Sequence, residues 1–307
     1  MPKSIYTDLA MESRELNPEL QGVLEQNEEG EGISISRIEI QTEEAAEKLE
    51  KPVGRYITLD APGLSERPLD LFQQVSKKLS EEISRLLQGL GPEATVLVVG
   101  LGNRAITSDS LGPKVAEQVY VTRHVKEYLP DALSNPVRSV CAVAPGVLGV
   151  TGIETMEIVQ GVVERLKPDL ILAIDALASR RAARISTTVQ LTDTGINPGS
   201  GVGNKRKGLN AATFGIPVLA VGVPMVVYAT TISQDTISLI ADETGLHDDE
   251  EKLRALAEKV TEEHLGSMIV TPKDVDQIVS DMSRILSDGI NMALFGADYE
   301  EVRMLIA

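Results

Sequence analysis

Tryptophan is absent from this 307-residue chain, and aromatic residues make up only 3% of it. Stacking platforms for single-stranded nucleic acid are therefore excluded as a main theme. A single cysteine, Cys141, rules out a disulfide within the chain and a cysteine-rich zinc site. Histidine is scarce as well, at His124, His247 and His264, so imidazole chemistry is thinly supplied. Basic charge is the minority sign: 29 Lys and Arg face 46 Asp and Glu, a formal net charge of -17, and no basic run exceeds Lys205-Arg206-Lys207. Binding to phosphate backbones is not the expected activity. No stretch reaches the roughly 18–20 apolar residues of a membrane span. The first residues, MPKSIYTDLAMESREL, carry no apolar signal-peptide core. The expectation is a soluble, cytoplasmic protein with no membrane or nucleic-acid partner.

With 42% hydrophobic residues, the chain has enough to build one sizeable core. Two stretches organise it. In Ala94–Tyr120 the apolar run Val96-Leu97-Val98-Val99 ends at Gly100-Leu101-Gly102-Asn103, then passes through Ser108-Asp109-Ser110-Leu111-Gly112-Pro113. In 168–180 the run Leu170–Ile174 delivers Asp175 at its end. Both read as buried strands whose carboxyl ends carry an aspartate, the place where open α/β sheets build their sites. A carboxylate closing an apolar strand is poorly hydrated and needs a partner or a task.

In chain order, residues 1–32 read as a polar extension. Ile33–Ile40 reads as a half-buried strand with a bulge near Arg37, and Tyr56–Leu59 as its neighbour. Leu69–Leu90 follows helical spacing. Strands at 95–99, 138–144 and 170–174 alternate with helices, which argues a parallel sheet with right-handed crossovers. Thr151 and Glu154 fit a capping box. Further strands are expected at 185–191 and 216–228, helices at 231–241 and 247–265, and a last helix after Thr271-Pro272. The stretch 195–210 is glycine-rich and reads as an adaptable loop.

Several motifs are weaker than they look. Gly100-x-Gly102-x-x-Ala105 matches a dinucleotide fingerprint, but three residues intervene before the helix expected near Ser110. The 195–208 loop lacks the Gly-Lys-Ser/Thr of a P-loop, and Pro198 breaks a G-x-S-x-G pattern. Cys141 lies in an apolar strand, where a packed thiol is expected. Asp109 also qualifies as a helix cap, whereas Asp175 is followed by Ala176-Leu177-Ala178 and has no such role. Two aspartates at one sheet end can share a proton, one as base and one as acid, or hold a divalent cation.

Four motifs in order closely resemble the germination proteases of spore-forming Firmicutes: Gly100–Asn103 with Thr107–Pro113, Ala173–Ala178, Asn197–Asn204, and Met268–Asp274. The resemblance implies an α/β fold with a central, mostly parallel sheet flanked by helices, similar to hydrogenase-maturation proteases (phosphorylase/hydrolase-like). It implies an unusual aspartic-type endopeptidase without a cofactor or metal, whose essential aspartates match Asp109 and Asp175. It implies a homotetramer in the forespore and spore core, made as a zymogen, with small acid-soluble spore proteins as substrates. The family cuts after an acidic residue and before a large apolar one followed by Ala. Thr7-Asp8-Leu9-Ala10-Met11-Glu12 looks like such a site, so self-cleavage between Asp8 and Leu9 is expected. The domains are then a propeptide 1–8, a polar extension 9–32 and a peptidase domain 33–307. The amides of Gly100, Gly102 and Asn103 are candidates for binding an oxyanion or substrate backbone. Arg180, Arg181, Lys205, Arg206 and Lys207 are candidates for reading the acidic side chain. Competing readings are a metal-dependent protease of the hydrogenase-maturation type, weakened because Ser108-Asp109-Ser110 stands where that group has D-D-G, and a non-enzymatic binding module.

Overall fold

Nine strands form one mixed sheet in the computed structural model, which describes residues 6–30, 32–196, 208–244, 250–265 and 268–306. They are β1 (Val23–Glu29), β2 (Ser34–Ile40), β3 (Gly54–Asp60), β4 (Thr95–Gly100), β5 (Ser139–Val143), β6 (Leu170–Ser179), β7 (Thr188–Thr192), β8 (Val218–Tyr228) and β9 (Ile269–Val270). Their order across the sheet is β1-β2-β3-β7-β8-β6-β4-β5, with β9 added to the end of β8. The strands β8, β6, β4 and β5 run parallel to one another, and the remaining pairs are antiparallel. The expected parallel sheet is thus the half that carries both aspartates. The other half is an antiparallel ribbon.

The parallel strands are continuous apolar runs because both of their faces are covered. On one face lie the helices Leu69–Leu86, Leu111–Gln118 and Val275–Phe295, whose Leu79, Ile83, Val115, Ile285 and Leu286 pack on Val96, Val98, Leu172 and Val221. On the other, Met156 and Val159 of the helix Thr155–Leu166 pack on Leu97, Val99 and Ile171. Each fully buried Leu or Ile contributes about 1.5–3 kcal/mol relative to exposure.

Three local expectations change. The alternation slip in Ile33–Ile40 is not a bulge, since β2 pairs with β1 and β3 in unbroken register. Ile35 joins the main core while Ile38 and Ile40 join a second cluster with Ala10, Leu49 and Tyr56, so the strand is buried on both faces by different partners. Within the extension expected at 9–32, residues 9–30 are not loose: Ala10–Leu16 is a helix with Ala10 buried, and β1 is an exposed edge strand held by backbone pairing, a contribution that apolar content does not register. Thr151 does not cap the next helix. Its hydroxyl is engaged by Val147 and Ile153, and the helix starts at Thr155.

Candidate active site

The loop leaving β4 folds back so tightly that only glycine fits at three positions. A Cβ on Gly100 would lie 2.2 Å from the Gly112 carbonyl oxygen, and one on Gly112 would lie 2.2 Å from that of Leu101 and 2.5 Å from that of Ile174. Gly102, at φ +116°, would put a Cβ 2.0 Å from the Asp109 carbonyl oxygen. The Leu101 amide donates to the Ile174 carbonyl at 2.8 Å, so the loop is tied to the residue preceding Asp175. This closure brings together two aspartates 66 positions apart in sequence.

Asp109 ends a short turn, Thr107–Asp109, and does not cap the helix that follows. Its carboxylate Oδ2 accepts the Asn103 amide at 2.9 Å, and the same amide reaches its carbonyl at 3.0 Å. Burial raises the Asp109 carboxyl above the ordinary aspartate value, against a lowering by the Asn103 amide. Asp175 keeps some accessible surface yet is so densely surrounded that burial pushes its carboxyl well up, with the charges of Asp109 and then Asp8 adding to the rise. The Ala176 amide donates to its Oδ1 at 2.8 Å and works the other way. Both carboxyls are thus raised, and the greater rise falls on Asp175, where burial and the charge of Asp109 act together.

The amides expected to meet an oxyanion are largely committed. Asn103 spends its amide on Asp109, and Gly100 lies within the β4–β6 ladder opposite Ile174. Gly102 keeps the candidacy. The physical reason is that the loop's polar groups serve first to hold Asp109.

The segment Thr7–Glu12 lies along the far end of β6. The Asp8 amide donates to the Ala178 carbonyl at 2.9 Å, and the Ala178 amide returns a bond to Asp8 Oδ2 at 2.8 Å. Tyr6 donates its hydroxyl to Asp8 Oδ1 at 2.6 Å. Gln190 bridges both sides of the Asp8–Leu9 bond, donating to the Asp8 carbonyl at 3.0 Å and accepting the Ala10 amide at 2.7 Å. Leu9 is fully buried. Lys51 donates to the Thr7 carbonyl at 2.9 Å; burial lowers its ammonium pKa, and the Asp8 charge is the first influence opposing that. Tyr6, Thr7, Asp8, Lys51 and Gln190 line a cavity of about 180 Å³ with Tyr56.

Two of the basic candidates from the sequence, Arg180 and Arg181, direct their side chains elsewhere. Arg180 is buried and bonded to Asp235 at 2.7 and 2.9 Å, so its guanidinium is spent within the fold. Arg181 lies 4.0 Å from Glu15. Lys205, Arg206 and Lys207, with the 197–204 motif, lie outside the described residues. Lys51 and Gln190 were missed. Gln190 left a signal, a polar residue in the otherwise apolar Val189-Gln190-Leu191, whereas Lys51 in Glu50-Lys51-Pro52 left none. Cys141 donates to the Val96 carbonyl at 3.5 Å and burial pushes its thiol up to about 11, as a packed core thiol should behave. Among the described residues, no group of three or more His, Cys, Asp and Glu side chains could hold a metal ion. Among them also, no helix is long and apolar enough to cross a membrane.

A family model described as germination protease matches residues 2–259. The chain is 48% identical over 305 residues to a germination protease of Caldanaerobacter subterraneus, with 94% of each covered. It is 43% identical to one from Clostridium perfringens, with 95% of each covered, and 39% identical to one from Bacillus cereus, covering 95% of this chain and 94% of that protein. Among solved structures, the [NiFe] hydrogenase maturation protease HycI from Thermococcus kodakarensis matches at 18% identity and a TM-score of 0.32, over 59% of this chain and 97% of that one.

Proposed function

Because this chain belongs to the germination protease family, we propose that it is a two-aspartate endopeptidase that removes its own residues 1–8 and then degrades small acid-soluble spore proteins in the forespore or germinating spore. The observation that carries this reading is the seating of the Asp8–Leu9 bond. An acidic side chain held by Ala178 of β6, a buried leucine and a glutamine bridging from β7 lie beside the strand that carries Asp175, which stands within β6 and not at the end that the sequence suggested.

In the proposed chemistry a water between the carboxylates is deprotonated by Asp109 as it attacks the scissile carbonyl, and Asp175 supplies the proton that the leaving amine needs. The Asn103 bond favours the charged form of Asp109, and dense packing beside that charge favours the neutral form of Asp175. The Gly102 amide is the candidate oxyanion donor. The Ala178 amide and the Lys51 ammonium are the groups we assign to the acidic side chain before the cut, in place of Arg180 and Arg181. The active particle is proposed to be a homotetramer.

Digestion of a purified small acid-soluble spore protein, with the new ends mapped by mass, tests the reading. It predicts cuts confined to acidic–large apolar bonds that disappear in Asp175→Asn. Scattered cuts, or cuts that persist in that variant, contradict it.

A further inference from the structure

The backbone changes character at the Asp8–Leu9 bond. Before it, the Asp8 amide pairs with the Ala178 carbonyl of β6 at 2.9 Å. After it, the helix Ala10–Leu16 starts at once: Leu9 is its N-cap, at φ -82° and ψ 121°, and the Leu9 carbonyl accepts the Ser13 amide at 3.2 Å. Leu9-Ala10-Met11-Glu12-Ser13-Arg14-Glu15-Leu16 holds no glycine, proline or β-branched residue, so nothing in it resists a helix. So short a helix is nonetheless unstable alone in water, because nucleation costs more than its few bonds return. Its order comes from the groove in which it lies.

That groove runs between the sheet and the helix Glu43–Leu49. Ala10 and Met11 pack with Ile38, Ile40 and Tyr56 of the sheet and with Ala45, Ala46 and Leu49 of the facing helix. The short side chains of Ala45 and Ala46 let a second helix come close. Gln190 of β7, 7% exposed, accepts the Ala10 amide at 2.7 Å, one of the donors that a helix start cannot pair within itself. The same side chain donates to the Asp8 carbonyl at 3.0 Å, so it joins the bond to be cut to the first helical amide. Asn17 closes the far end, its side-chain amide donating to the Ser13 carbonyl at 3.0 Å.

We infer that this groove receives the residues of a protein substrate that follow its cut, and that it takes them as a short helix instead of an extended strand. The inference rests on the Asp8–Leu9 bond being the one cleaved. Gln190 is then a reader of conformation, because it grips both groups only where the chain turns into a helix directly after the bond. A substrate displaces Ala10–Leu16 and folds as it binds. Segments that form a helix at low entropic cost are therefore cut faster.

The test uses the purified full-length chain, left to process itself, and three peptides spanning residues 3–20 that differ only at the positions of Arg14 and Glu15. One carries Arg14→Ala and Glu15→Ala, one Arg14→Gly and Glu15→Gly, and one α-aminoisobutyric acid at both, whose second Cα methyl confines the backbone to helical angles. All three lack the same side chains, so their differences report backbone preference. The predicted kcat/KM for the aminoisobutyric peptide is about threefold or more above that of the alanine peptide, which is about tenfold above the glycine one. Alanine equal to or above aminoisobutyric acid is the mark of extended binding; it overturns the inference and leaves the proposed function standing. Glycine equal to or above alanine does the same. A chain that processes itself but cuts none of the peptides also overturns it, since the groove is then closed to other chains. Absence of self-processing and of all peptide cutting overturns the proposed function and this inference with it.

Discussion

At the scale of single residues, the proposed chemistry depends on two carboxyls sharing one proton. Both are raised above the usual aspartate value near 3.8, Asp109 by burial and Asp175 by burial plus the neighbouring charges. The kcat/KM profile should be bell-shaped with both limbs above that value, as stopped-time peptide assays across pH would show. A raised folded-state value also sets the sign for stability. Between the unfolded value near 3.9 and the higher folded one, the unfolded chain has released a proton that the folded chain retains, so stability falls as pH rises through that window. Asp175→Asn should therefore raise Tm at neutral pH relative to the parent, with the gain vanishing below about pH 4, while lowering cleavage by about a thousandfold or more. Lys51→Met tests the acidic-residue reader. Cutting after Asp or Glu should fall by about tenfold or more, while an Asp175→Asn chain with and without Lys51→Met keeps the same fold by circular dichroism.

At the scale of elements, the glycine-closed loop after β4 decides whether the two aspartates meet. Gly102→Ala adds a Cβ at a positive φ and 2.0 Å from the Asp109 carbonyl oxygen. It should cost about 2–3 kcal/mol in urea unfolding and depress activity further than stability alone explains, because Asp109 is displaced. A loss of stability with unchanged kcat would place Asp109 outside the chemistry. A second device lies under the antiparallel ribbon. Glu82, 1% exposed on the helix Leu69–Leu86, accepts Arg37 of β2 at 2.6 and 3.2 Å and Arg85 at 2.6 Å. Glu82→Gln removes the anion of the half-exposed Arg85 and leaves Arg37 with Glu28 alone, and should cost about 1–3 kcal/mol. The parallel strands and their aspartates were legible in the sequence because both-face burial writes itself as unbroken apolar runs. β1 was not, since backbone pairing holds it and its side chains face water. The helix start at Thr155 was missed because Thr151 bonds locally instead.

At the scale of the whole molecule, the amino-terminal segment joins sequence motif to site. Its composition read as a tail, yet Leu9, Ala10 and Glu12 are buried, and Glu12 is held by the amides of Arg180 and Arg181, 168 and 169 positions away. Nothing local in the sequence announces partners at such separation. The acidic motif at Thr7–Glu12 was visible, whereas the residues that hold it, Lys51, Gln190 and Arg184, are scattered along the chain. Loss of residues 1–8 would remove the Lys51–Thr7 and Ala178–Asp8 bonds. Hydrogen exchange should then show the Ala178 amide losing protection on processing while the β4–β6 ladder keeps its own.

The most direct test of the two-aspartate account is intact mass. The purified chain is incubated with excess chelator beside Asp109→Asn and Asp175→Asn variants shown to be folded by circular dichroism. The account predicts loss of residues 1–8 from the parent alone, chelator notwithstanding. Processing that persists in both variants, or that the chelator alone abolishes, would contradict it.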